Sequence, residues 1–436
     1  MDEEFKEKLK EEAKEATEGN EAQEECDEVD EEVDESYDEE ENYEDDEYEG
    51  EDEDGDEGDE DEIEMDGGDE EYDGFEAEED YNIDEDGPVE KARVLVLFNQ
   101  LEEKDAYSVL RGYDPASLNF TPNYNIHVAT EQEEYDAVVS ALNEEGFEAS
   151  CINLKDDHKM LNRLIVENPP DVVFNLVELF NADQGLEGCV AGFFDLFEVP
   201  YTGAPPFCLF LCRQKALTKK ILLQNGVATA PFRYLEEPII EPSHGLHYPL
   251  IVKPSLEDGS TGVEAASVVY DYSQLLHRID RLYAEFDAPV LVEEFLEGKE
   301  LHVSVLGNDP PKVLPIEEFC FEDLDKDHPP LITYDIKWNP LAPAYHNVHT
   351  FCPADIDEET EELVTELALK AYAVTFCRDY ARIDVRLGRD GKPYVLEVNP
   401  NPDLTEGVSF MESAEEAGLT FSKTLRKIVK YALKRK

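Results

Sequence analysis

Near its C-terminus the chain sets two carboxylates, an amide and an arginine within a few residues of one another, in Arg382-Ile-Asp384-Val-Arg386 and then Glu397-Val-Asn399. Both runs alternate polar with apolar residues, as half-buried strands do, and the Arg-Asp-Gly-Lys between them is turn chemistry. Residues two apart share a strand face, so Arg382, Asp384 and Arg386 point one way, as do Glu397 and Asn399 on the partner strand. Hard oxygen donors held beside a guanidinium suit Mg2+ and the phosphates it carries. A solvated hairpin laced by cross-strand ion pairs would use the same residues, and this stretch alone leaves both readings open.

Further upstream, Lys253 ends the apolar run Tyr-Pro-Leu-Ile-Val-Lys253-Pro and leads into Ser255-Leu-Glu-Asp-Gly259-Ser260-Thr261-Gly262. Glycines admit a close backbone approach, and hydroxyls with free backbone N–H groups cradle phosphate oxygens. The GxxxxGK[ST] pattern is absent, and an ordinary strand-connecting loop is the competing reading. Glu293 and Glu294 end the strand Val290-Leu-Val, and Glu300 opens the next. These acids either accept hydrogen bonds from an exocyclic amine or a ribose hydroxyl, or simply cap a strand with solvated charge. His244 with His247, and His346 with His349, sit three apart in Pro-rich loops without a third ligand and read as surface histidines.

The elements that must position these groups alternate between strand and helix from Ala92 onward, the pattern of an α/β protein. Strands are predicted over 92–98, 147–154 and 171–177, with a helix over 131–145 and a Pro- and Tyr-rich loop over 112–126. A helix over 213–224 carries Lys215, Lys219 and Lys220, followed by strands at 248–253, 263–269 and 289–296 and a helix over 272–286. A last unit begins with a strand at 301–306. It holds an aromatic-rich excursion (307–356), a helix over 359–377, the acidic hairpin and a closing helix from Met411. The expected domains are 1–88, 89–208, 209–298 and 299–436.

Charge is unevenly distributed. The 436 residues carry a net charge of −73, and residues 1–86 hold 50 Asp or Glu against four Lys. Such a segment cannot bury enough apolar surface to offset the entropy of ordering, so 1–88 is expected to be an acidic disordered tail, with a short Lys/Glu helix at its start. The tail solubilises the protein, binds a basic partner, or folds back on the basic C-terminal helix 423–436. In that helix Leu425, Ile428, Val429 and Leu433 would face inward and seven Lys or Arg outward. Without a basic groove, nucleic acid is not an expected partner. No run reaches the ~20 apolar residues of a membrane span, and no basic-then-apolar leader opens the chain, so a cytoplasmic protein is expected. Eight cysteines lack CxxC spacing. Cys208 and Cys212 lie in an apolar segment and read as buried thiols rather than a disulfide or metal cluster.

The order Lys215, Lys253 with its Gly/Ser loop, Val-Glu293-Glu-Phe-Leu296, Glu300, Arg382-Ile-Asp384 and Glu397-Val-Asn399 resembles the ATP-grasp superfamily, and specifically its D-alanine-D-alanine ligase-like branch. Residues 199–206 (VPYTGAPP), 212–232 and 380–405 carry the likeness, which is good over 170–430 and loose over 92–170. It implies an N-terminal open α/β domain, a small α+β lobe and a C-terminal α+β domain. It also implies that Lys215, Lys253, Gly259, Ser260 and Thr261 bind ATP phosphates, and that Glu293, Leu296 and Glu300 contact adenine and ribose. Asp384, Glu397 and Asn399 would hold two Mg2+ ions, or Mn2+, with Arg382 beside the reacting oxygens. Tyr334-Asp-Ile-Lys337-Trp338 is similar to the family's closing loop. The implied reaction joins a small-molecule or peptide carboxylate to an amine through an acyl phosphate, and relatives are often homodimers.

The amino-acid half departs from the family pattern. Where a Gly-Gly-x-Ser loop and a glutamate follow the first strand, this chain has Asn99-Gln-Leu-Glu102-Glu103-Lys. The usual Leu-His-Gly becomes Asn175-Leu-Val177-Glu178, and Thr-x-Pro-Gly-Met-Thr becomes Pro400-Asn-Pro402-Asp403-Leu-Thr405. The serine expected for a product carboxylate falls at Val408, beside Ser409. Glu178 and Asp403, if they face the pocket, favour a substrate bearing an amine or other cation, so the expectation is a ligase that does not join two free D-alanines. A catalytically silent ATP-binding scaffold acting through its acidic tail is the alternative. The tail's own carboxylates as ligation substrates in cis are a further reading.

Overall fold

Continuous apolar runs become central strands. β1 (Arg93–Phe98) is buried at every position after the first and lies in the middle of a parallel sheet of order β2-β1-β3, with β2 Glu148–Asn153 and β3 Val172–Leu176. A parallel strand covered on both faces has no solvated side to alternate with. Helix α1 (Glu131–Glu144) lays Val138, Ala141 and Leu142 on one face, and α2 (Glu187–Leu196) lays Val190, Ala191 and Phe194 on the other. The computed structural model describes residues 91–100 and 131–435. The acidic tail and its expected disorder, and the loop 112–126, lie outside the described residues.

Two short helices follow, α3 (Pro206–Arg213) and α4 (Lys215–Gln224), separated only by Gln214. They lead into a four-stranded antiparallel sheet of order β4-β7-β5-β6, built from Phe232–Leu235, Val290–Glu294, Leu250–Pro254 and Val268–Val269. Helix α5 (Tyr272–Phe286) covers it with Leu275, Ile279 and Leu282, and its N-terminus is capped by Asp271 accepting from the Gln274 amide at 2.9 Å. The strand expected over 263–269 shrinks to the two residues of β6. The segment before it, a turn followed by a 3-10 helix over Ala265–Ser267, is held by Arg278, which donates to the Gly262 carbonyl at 2.7 Å and to Ser267 Oγ at 2.8 Å, and pairs with Glu264. Gly262 is irreplaceable there: its φ is +70°, and a Cβ would come within 2.7 Å of the Pro254 ring.

The third sheet has order β11-β10-β8-β12-β13, with β9 (Lys312–Val313) on the end of β8. At its centre β8 (Glu300–Leu306) and β12 (Tyr380–Leu387) run antiparallel, flanked by β13 (Pro393–Asn399), β10 (Glu317–Cys320) and β11 (His349–Phe351). Helix α7 (Glu358–Val374) packs Val364, Ala368, Ala371 and Tyr372 into a core shared with β1 and β3. The excursion between β10 and β11 carries a single-turn helix, α6 (Tyr334–Trp338). The single closing helix predicted from Met411 is two, α8 (Ser409–Glu416) and α9 (Phe421–Lys434), broken at Gly418 with φ +80°. On α9 Leu425, Ile428 and Val429 are buried as predicted, joined by Ala432, while Leu433 is half-buried. Wholly buried Asp379 fastens this end of the molecule: it accepts from the Gly203 amide at 2.9 Å and Asn308 at 3.0 Å, and pairs with Arg435. No helix among the described residues is long and apolar enough to cross a membrane.

Candidate active site

The acidic hairpin forms as its alternation predicts. In the β12–β13 register Arg382 stands opposite Asn399 and Asp384 opposite Glu397. The register slips by one residue between Asp384 and Val385, and Leu396 and Glu397 both reach the same cavity, a bulge re-aiming side chains at a site. Arg382 grips Asp384 with two hydrogen bonds, Nε at 2.6 Å and Nη2 at 2.9 Å, and Asn399 Nδ2 donates to the same carboxylate at 3.0 Å. Burial alone would lower the Arg382 pKa, but the Asp384 carboxylate outweighs it and pushes the guanidinium pKa up. The ion-pair reading of this stretch is therefore half right: the pairs exist, but they are buried and line a cavity.

Across that cavity stands Lys215, the first residue of α4. Its ammonium is buried, 2.5 Å from Asp258 Oδ1, 2.8 Å from the Glu257 carbonyl and 3.6 Å from Glu397 Oε2. Burial works against ionisation of both partners. The Glu397 and Asp258 charges nonetheless raise the Lys215 pKa, and Lys215 in turn holds the Glu397 carboxyl below its usual range. Lys253 is the penultimate residue of β5 and faces Glu293 on β7.

Glu293 is almost fully buried between two ammonium groups, Lys219 at 3.2 Å and Lys253 at 3.1 Å. They hold its carboxyl below the ordinary range despite burial. Lys219 also donates to Thr229 at 2.6 Å. Lys219 faces one oxygen of this carboxylate and Lys253 the other, so each Glu293 oxygen has an ammonium within ion-pair distance. Glu300 is engaged by Arg386 at 2.8 Å, and burial raises its pKa. Leu296, Gly259, Ser260, Thr261 and Glu257 complete the lining of this cavity.

Through Asp258, Gly259 and Thr261 this cavity continues into a second cleft. Arg382, Asn399, Tyr334 and Lys337 border it, and its far end is acidic, with Glu178, Glu187 and Asp403. Burial pushes the Glu187 carboxyl up to about 8, against a hydrogen bond from Asn401 at 3.1 Å. Helix α6 closes over the glycine loop: the Trp338 indole donates to the Gly259 carbonyl at 2.7 Å, the Tyr334 amide to the Val263 carbonyl at 3.0 Å, and Ser260 Oγ to the Ile332 carbonyl at 3.1 Å. Lys337 is solvent-accessible as a residue, but protein crowds its ammonium. That desolvation, and Arg382 after it, lowers its pKa.

Of the residues singled out from sequence, Ser409 stands apart, because it lines neither cavity. It donates to Glu317 at 2.5 Å and lies 2.9 Å from His302 Nδ1, while His302 Nε2 is 3.7 Å from Asp384. Burial, Arg382 and Lys337 hold the His302 pKa well below its usual value. This chain of Glu317, Ser409 and His302 behind the hairpin was not read from sequence, although the alternation Glu300-Leu-His302-Val-Ser304 puts His302 on the same face as Glu300. Lys219 was visible as one helical turn beyond Lys215. Glu187 carried no local signal.

Residues 222–430 match the family model described as D-ala D-ala ligase C-terminus. An uncharacterized protein, y4sG, from Sinorhizobium fredii is 33% identical over 306 residues, spanning 69% of this chain and 87% of that protein. The D-alanine–D-alanine ligase of Carboxydothermus hydrogenoformans is 30% identical over 307 residues, 68% of this chain and 92% of the relative. The crystal structure of D-alanine–D-alanine ligase from Bacillus anthracis complexed with ATP shares the fold at a TM-score of 0.58 and 23% identity, over 79% of this chain and 98% of that one.

Proposed function

This chain belongs to the D-alanine–D-alanine ligase-like ATP-grasp family, and from that premise we propose that it is an ATP-dependent carboxylate–amine ligase whose substrates are not two free D-alanines. The observation that carries the nucleotide half is the convergence of Asp384, Glu397, Lys215, Lys253 and the buried Glu293 carboxylate on one cavity. Lys215, Lys253 and the 259–261 backbone hold phosphates, and Glu293, Leu296 and Glu300 hold adenine and ribose. Asp384, Glu397 and Asn399 offer oxygens of the type that Mg2+ prefers, enough for two ions.

Bound there, ATP with Mg2+ supplies phosphoryl activation of a carboxylate, which an amine then converts to an amide with release of phosphate. Arg382 presents its guanidinium to the oxyanion that develops at the acyl carbon, a contribution on the order of ~3 kcal/mol per donor. Lys337 and Tyr334, carried on α6, cover the cleft and exclude water from an intermediate that would otherwise hydrolyse. At the far end Glu178, Glu187 and Asp403 favour a substrate carrying an amine or another cation.

A catalytically silent scaffold has no use for the converging oxygen set of Asp384, Glu397 and Asn399. Metal-dependent ADP formation that disappears in Asp384→Asn tests the reading. Equal ADP formation by the variant and the unaltered protein would refute it.

A further inference from the structure

The buried thiols extend beyond the pair visible in sequence. Cys208 and Cys212 lie one turn apart on α3, and Cys377, in the turn between α7 and β12, meets them from 169 positions away. Cys208 Sγ is 3.9 Å from Cys212 Sγ and 3.6 Å from Cys377 Sγ, and all three sulfurs lie within 4.8 Å of one another. All three cysteines are free, and these separations are far from the roughly 2.05 Å of a disulfide. They match instead the edge of a thiolate tetrahedron, roughly 3.8 Å for metal–sulfur bonds of ~2.3 Å. Among the described residues this is the one group of three His, Cys, Asp or Glu side chains whose ligand atoms converge at metal-binding distance.

We infer that Cys208, Cys212 and Cys377 form a three-thiolate site for a thiophilic d10 cation of the Zn2+ and Cd2+ class, separate from the Mg2+ site proposed above. Soft sulfur donors select such ions over the hard ions that carboxylates prefer. Each thiol yields its proton as its sulfur–metal bond forms, so binding releases protons and strengthens as pH rises. Cys377 Sγ also lies 3.4 Å from Thr375 Oγ1, which fixes the sulfur beside its two partners. An entry path exists as well, because Cys212 borders the cleft that carries Arg382 and Lys337.

The ion would join two elements that serve the nucleotide cavity. Helix α3 runs through Gln214 directly into Lys215, and Cys377 opens the turn that leads into Arg382 and Asp384 on β12. Occupancy staples α3 to the start of β12, so the site is a brace for the catalytic hairpin, not part of the chemistry.

The test is a Cd2+ titration of the reduced, chelator-treated full chain in excess Mg2+, following the near-ultraviolet absorption of thiolate-to-cadmium charge transfer and the protons released. The expected result is saturation at one equivalent with the intensity of three thiolates, a raised melting temperature, and an unchanged signal in Cys189→Ser. Cys208→Ala should lose about a third of the intensity, and Cys377→Ser should bind at least tenfold more weakly. No charge-transfer absorption from the folded unaltered protein would overturn the inference. So would full intensity in both Cys208→Ala and Cys377→Ser. If either variant fails to fold, proton release by the unaltered protein decides: release of several protons per bound ion supports the site, and none refutes it.

Discussion

The Trp338 indole N–H donates to the Gly259 carbonyl at 2.7 Å, joining the helix that carries Lys337 to the loop between Lys253 and the acidic hairpin. With the Tyr334–Val263 and Ser260–Ile332 hydrogen bonds, it clasps the element proposed to cover the substrates to the element proposed to cover the phosphates. Trp338→Phe keeps the ring and removes the donor, at a cost of about 1 kcal/mol to the closed form. The variant should release ADP without forming product roughly fivefold more often than the unaltered protein. Parallel assays of ADP and coupled product measure the ratio, and an unchanged ratio excludes a clasp that matters in turnover.

The pairing of Lys219 with Glu293 should matter chiefly to stability. Both side chains are almost wholly buried and 3.2 Å apart, so removing either leaves the other's charge in the core. Lys219→Met is expected to cost ~3 kcal/mol, in line with broken buried ion pairs. Chemical denaturation measures this directly. A loss below ~1 kcal/mol would mean that Lys253 alone satisfies Glu293.

Asp384 receives two hydrogen bonds from Arg382 and one from Asn399, so Asp384→Asn removes a proposed metal ligand and disturbs the arginine at once. Turnover should fall by about 10^3-fold, equivalent to ~4 kcal/mol, with little change in secondary structure. Steady-state ADP release with circular dichroism on the same sample checks both halves of the expectation.

Glu187 sets a pH dependence. Its pKa is about 8 in the folded protein against an ordinary value of 4.5, so the folded state holds a proton there that the unfolded state has lost. Its contribution to stability is complete below the ordinary value and declines as pH rises toward about 8. A cationic substrate beside it favours the ionised form, so KM for such a substrate should fall as pH rises through the same range. In Glu187→Gln this trend should flatten. A KM profile identical in both proteins would remove Glu187 from the substrate end of the cleft.

His302 gives the opposite sign. Its pKa is depressed by burial and by Arg382 and Lys337, so the stability it confers is present above its ordinary value of 6.5 and is lost as pH falls below it. His302→Gln should weaken that acid-side loss. Thermal melts taken from below to above the ordinary histidine value would show it as a shallower fall of Tm toward acid, and an equally steep fall in both proteins would contradict it.

The hairpin was legible because period-two alternation fixes which residues share a face, and Asp384, Glu397 and Asn399 do converge. Lys215 and Lys253 were legible as charged ends of apolar elements. What escaped depended on contacts between distant segments. Cys377 meets Cys208 across 169 positions of sequence, and Glu293 on β7 meets Lys219 on α4 across 74. Ser409 sits one position beyond the serine expected from the family pattern, and in the fold it turns to Glu317 and His302 rather than to the cleft. The strand predicted over 263–269 failed because Arg278, on the helix that follows, holds the Gly262 carbonyl and Ser267 in place of a sheet partner.

The most direct test of the central claim is ADP release with Mg2+ and ATP against D-alanine, amino acids, dipeptides and polyamines, with Asp384→Asn as control. Background release is expected with D-alanine alone, and release at least tenfold above background with a carboxylate paired to an amine-bearing, cationic substrate. Rapid ADP formation with D-alanine alone, yielding the D-alanyl dipeptide, would contradict it.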